Sequence, residues 1–108
     1  VADLVIANKA FIKEISSNEL VIFDGDKIVA GMTSSKAVDE SSPLSGKVTT
    51  EGKGDVRIWA GEISDANLTT APFTVTSTGV LKANDATLEN VVLKKANLTD
   101  ATFINPNG

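Results

Sequence analysis

Histidine, cysteine and tyrosine are absent from this 108-residue chain, which has one tryptophan, one methionine and four phenylalanines. Without histidine or cysteine, neither a serine–histidine or cysteine–histidine nucleophile nor the usual zinc constellations can be assembled. Disulfide stapling is excluded for the same reason, and the redox compartment stays open. No Gly-x-x-x-x-Gly-Lys-Ser/Thr or Gly-x-Gly-x-x-Gly phosphate-binding sequence occurs. No apolar run approaches the ~20 residues that span a bilayer, and no basic-then-apolar leader opens the chain, so a soluble chain without membrane insertion is expected. A basic stripe is missing as well. The net charge is −4, with six basic against eight acidic residues in 1–54 and four against six in 55–108. Nucleic acid is therefore a poor partner.

What is present is 42% hydrophobic, largely valine, isoleucine, leucine and alanine. Small β-branched side chains suit strands and thin layers. A chain this short buries only ~60–65% of its extended surface when it folds alone, so a slender object that shares its core between copies is expected. It opens on Val1 and ends on Pro106-Asn107-Gly108, as expected of a module cut from a longer chain.

Residues 3–16 place Leu4, Ala7, Phe11 and Ile15 at helical spacing, which predicts an amphipathic helix of about three turns within an N-terminal segment 1–18. The competing reading is an extended start, because Val5, Ile6 and Ile12 add β character. Leu20–Phe23 and Lys27–Ala30 flank Asp24-Gly25-Asp26 and read as a hairpin. Asp24 and Asp26 are read as turn residues, since a calcium loop needs further oxygens at set spacings that do not follow. Asp39/Glu40 and Asp24/Asp26 are the carboxylate pairs a glycosidase would need, but nothing predicts a sugar cleft, and no catalytic, cofactor or metal site is expected.

Residues 33–54 form a long polar stretch with Val38, Leu44 and Val48 as its apolar anchors, expected to be a surface excursion with a short strand near 47–50. Val56–Gly61 reads as a strand, with Val56, Ile58 and Ala60 alternating against Arg57 and Trp59. Ala71–Asn84 reads as a strand, a turn at Ser77-Thr78-Gly79, and a resumed strand. Trp59 is expected to be a packing anchor; the alternative makes Arg57 and Trp59 a glycan contact.

In the last quarter, Leu88, Leu93, Leu98 and Phe103 fall five apart, each preceded by two positions by Ala86, Val91, Ala96 or Ala101. Three objects fit that beat. One is a monomeric pentapeptide-repeat coil, although four pentads make one coil with nothing to stack on. The second is a three-chain β-prism or triple β-helix with Asn, Asp and Thr at its corners. The third is a plain helix, opposed by Asn90, Asn97, Thr99, Asp100 and Thr102.

Val56-Arg57-Ile58-Trp59-Ala60-Gly61, followed after a polar spacer by Ala71, Pro72, Phe73, Val75, Gly79, Leu81, Ala83 and Ala86, resembles a module of the distal tail proteins of long-tailed bacteriophages and their prophages: tail-tip host-specificity proteins and tail fibres. Lys27–Met32 is similar to the strand that commonly precedes it. The resemblance covers scattered blocks of 19–90. It implies a homotrimer in the virion's distal tail, contact with other phage tail proteins, and support of attachment to a bacterial surface glycan or protein.

The expected fold is mainly β: an elongated, intertwined homotrimer with a short N-terminal helix (1–18), a β-hairpin and β-domain (19–83) and a triple-β-helix-like shaft (84–108). Its trimer and core packing is assigned to Phe11, Ile15, Ile58, Trp59, Phe73, Leu88, Leu93, Leu98 and Phe103, with the facing of Ile58 and Trp59 left open. The alternatives are a carbohydrate-binding receptor-recognition module and a monomeric pentapeptide-repeat-like or bacterial surface protein.

Overall fold

The computed structural model describes residues 4, 6–34, 41–47, 55–63 and 67–104. Five strands form one antiparallel sheet in sequence order: β1 Glu19–Asp24, β2 Lys27–Thr33, β3 Val56–Ala60, β4 Phe73–Thr76 and β5 Leu81–Ala83. β1 and β2 close on Gly25-Asp26. Gly25 takes φ 64° while Asp26 does not enter the left-handed region, the pattern of a type II′ turn with glycine at its first central position. β4 and β5 close through Ser77–Val80, where the Thr76 amide donates to the Val80 carbonyl (3.0 Å) and the Gly79 amide to the Thr76 carbonyl (3.0 Å).

Two irregularities decide which side chains face inward. In β3 the register slips between Val56, opposite Thr76, and Ile58, opposite Val75. The extra residue resets the alternation, so Val56 and Trp59, three apart, are both buried while Ile58 and Ala60 are exposed. Regular alternation does not predict this. The question of Ile58 or Trp59 is answered for Trp59. A second slip lies between Ile22 and Phe23, where β1 runs past Val29 of β2.

Between those slips the register is regular, and paired residues share a face. Val21, Gly31, Trp59, Thr74 and Lys82 form one row across the sheet on the covered face. Thr74 is buried opposite Trp59, whereas Phe73 and Val75 stay half-buried on the other face. The core on the covered side is small: Ile28, Leu44, Val56, Trp59, Leu68 and Ala71, with Val21 and Ile63 against it.

Its cover comes from loops. Ser42 Oγ donates to Glu19 Oε1 and accepts from the Leu44 amide (3.0 Å), which pins Leu44 over the sheet with no exposed surface. The Leu68 amide donates to the Lys47 carbonyl (3.0 Å), joining that loop to a single 3-10 turn at Leu68–Thr70. Asn67 caps the turn by accepting from the Thr69 amide (2.9 Å). Part of the expected surface excursion is thus core cover, and β2 runs through Thr33 before it begins. The strand expected at 47–50 falls largely outside the described residues.

The helix expected over 3–16, within the segment 1–18, is not formed among the described residues. Among the described residues before β1 there is no helical turn, and every side chain from Ile6 to Asn18 is exposed, with Phe11 at 99%. An amphipathic stripe holds a short helix only when something covers it, and no described residue does so here; the extended reading of this segment fits. The molecule is long rather than round. Its radius of gyration is 17.8 Å, against about 13 Å for a compact domain of this size, and its extents are 63 × 33 × 26 Å.

Candidate functional site

Of the residues quoted for the phage-tail resemblance, Val56, Trp59 and Ala71 are buried, while Ile58, Ala60, Leu81, Ala83 and Ala86 are exposed. Trp59 lies across β2 at Gly31, where a Cβ would come within 2.6 Å of the indole and would also strike the Leu20 carbonyl. Glycine is therefore required there by close approach. Gly61 ends β3 at φ 104°, and a Cβ on it would run into the Pro72 ring. Ala71, fully buried beside Pro72, leaves room for that seat. Gly31, Trp59, Gly61, Ala71 and Pro72 are thus one mechanical unit joining β2, β3 and the start of β4.

This geometry corrects the glycan-platform alternative. Stacking on a sugar needs an open aromatic face, and Trp59 is 1% exposed. Arg57, at the slip in β3, is half-buried and approaches Asp55 at 3.7 Å. Its Nη1 has no hydrogen-bond partner among the described residues, and it borders a groove of about 440 Å3. The groove's lining mixes apolar Ile15, Leu20, Met32 and Ile58 with Ser17, Asn18, Glu19, Thr33 and Ser34. A second hollow of about 220 Å3 lies near Lys27 and Glu62, whose exposed ion pair at 3.3 Å is worth little by itself. Asp24 is exposed at the hairpin tip, Asp39 and Glu40 lie outside the described residues, and among the described residues no group of three potential metal-ligating side chains converges.

The most regular feature is the segment after β5. Its chain bends at 84–85, 89–90, 94–95 and 99–100, with three residues between successive bends. Asn90 and Asp100 take φ 55° and 56°, values open to Asn and Asp because their short polar side chains tolerate the left-handed region. An extended arm would place its first and third residues on one side: Ala86 with Leu88, Val91 with Leu93, Ala96 with Leu98, Ala101 with Phe103. The five-residue beat is thus a corner and an arm repeated.

Among the described residues nothing covers those arms. Leu88, Leu93, Leu98 and Phe103 are 57–81% exposed. Among the described residues no backbone–backbone hydrogen bond involves 85–104; the last one on this side joins the Asn84 amide to the Pro72 carbonyl (3.0 Å). A stacked monomeric coil would bury its central leucines, and here they are open. The plain helix is not formed.

Of the residues assigned to packing, Trp59 is in the core, Phe73 is half-buried, and Phe11, Ile15, Ile58, Leu88, Leu93, Leu98 and Phe103 are on the surface of the single chain. Sequence reasoning missed the core roles of Leu68 and Gly31. No protein-family model, curated protein or solved structure matches the chain.

Proposed function

We propose that this chain is a structural module of the distal tail of a long-tailed bacteriophage, a tail tip or tail fibre, assembled as an elongated homotrimer that supports attachment to the bacterial host without catalysing a reaction. The observation that carries the reading is the segment 84–104. It holds a strict corner-and-arm period while its leucines and backbone polar groups stay uncovered in one chain. Buried polar backbone requires partners, and three copies winding about one axis supply them with the same period and the same length. The exposed stripe of Leu4, Ile6, Phe11, Ile12 and Ile15 asks for the same kind of cover at the other end.

The role within the tail is that of a spacer. A receptor-binding tip presents aromatic and hydrogen-bonding groups in an open pocket, whereas the single tryptophan here is spent on the core. The shaft joins other tail proteins end to end, and the host surface is met by the assembly as a whole. Immunogold labelling with antibody raised against this chain tests the function: grains at the distal tail of virions are expected, and virions that carry no label would overturn it.

A further inference from the structure

The sheet has one covered face and one bare face. On the bare face the regular register lines up two complete rows: Leu20, Met32, Ile58, Val75 and Leu81, and beside them Ile22, Ala30, Ala60, Phe73 and Ala83. All ten are apolar. Ordinary antiparallel sheets with one wet face alternate apolar and polar residues so that the wet face is polar. Here the uncovered face is apolar in both rows, and no described element crosses it: Met32 is 51% exposed and Ile58 42%, with Leu20, Ile22 and Leu81 similarly open. Such a face belongs against something dry.

No described residue supplies that cover: Leu4, Ile6, Phe11, Ile12 and Ile15 are themselves exposed. We infer that the occupant is a second copy of this chain, so that the bare face packs toward sister sheets about the common axis. Three properties favour a copy over a foreign partner. The two rows carry no charge for a foreign surface to read. β5 runs directly into 84–104, so whatever covers the sheet face has to continue along a segment whose five-residue period only a copy reproduces. Together with the open leucines beyond β5, the face offers a continuous apolar surface on the scale of the ~800 Å2 per partner of a standard stable interface.

In this arrangement the 440 Å3 groove beside Leu20, Met32, Arg57 and Ile58 lies at the end of the contact and receives a side chain of the neighbouring copy. The inference deepens the trimer reading and rests on it only for the number of copies.

The test is the full chain carrying Met32→Glu and Ile58→Glu together, compared with the unaltered chain by size-exclusion chromatography with light scattering. Because both side chains are already half open in one chain, the sheet is expected to keep its circular dichroism and the blue-shifted emission of buried Trp59. Self-association is expected to weaken at least 100-fold. If that double variant loses the Trp59 signature, Leu81→Glu on the opposite edge of the face decides the matter, with weakening in the same direction expected. Folded variants that assemble at the mass and concentration of the unaltered chain would overturn the interface and leave the trimer reading standing. An unaltered chain that runs as a monomer would overturn both and leave the face to a different partner.

Discussion

The covered half of the sheet and the segment 84–104 use apolar residues in opposite ways. Behind the sheet, six buried side chains are gathered under two loops and held by named hydrogen bonds, so that Trp59, Leu44 and Leu68 are closed off within one chain. Beyond β5, leucines of the same size recur with greater regularity yet stay open. Regular spacing by itself does not bury a side chain; a second layer has to lie within reach. In the first region the loops are that layer. In the second, no described residue provides one.

Removing the anchor of the first region is expected to have the largest effect. Trp59→Ala should cost about 3–5 kcal/mol, a large share of the ~5–15 kcal/mol that holds a domain, and urea melts followed by circular dichroism should show a sheet that is mostly unfolded at 37 °C. Next comes Gly31→Val, which drives a branched side chain into the indole and the Leu20 carbonyl; overpacking of this kind costs about 1–3 kcal/mol, read from the shift of the urea midpoint. Gly61→Ala should lower stability by about 1–2 kcal/mol, because alanine at φ 104° is strained and its methyl meets Pro72. Lys27→Met removes an ion pair that is more than half exposed on both sides and should shift the midpoint by less than about 0.5 kcal/mol.

The comparison sharpens at the other end. Leu93→Asp with Leu98→Asp should leave Trp59 emission and the sheet's circular dichroism unchanged while abolishing assembly. A double variant that instead unfolds the sheet would show that the two regions are not separate in the way described.

Much of the sheet is legible in the sequence. The Asp24-Gly25-Asp26 hairpin, the strand through Val56–Ala60 and the Ser77-Thr78-Gly79 turn follow from β-prone runs and glycines where φ turns positive. What is not legible depends on a residue inserted or a surface absent. The slip at Arg57 leaves no mark in the alternation of Val56, Ile58 and Ala60, yet it puts Trp59 inward and opens Ile58. Leu44 and Leu68 stand alone in polar surroundings, so nothing local distinguishes them as cover. The spacing of Leu4, Ala7, Phe11 and Ile15 describes a stripe but not the partner that would hold it as helix. In the candidate assembly region the five-residue corners were readable, because Asn90 and Asp100 mark them; the bare sheet face was not, since it is visible only once the five strands are in register.

The central claim is that the open apolar residues of this chain are covered by its own copies. Sedimentation equilibrium of the full chain at micromolar concentration tests it most directly. The account predicts a single species near 34 kDa, three times the 11.2 kDa of one chain; a folded particle that stays at 11.2 kDa across the concentration range would contradict it.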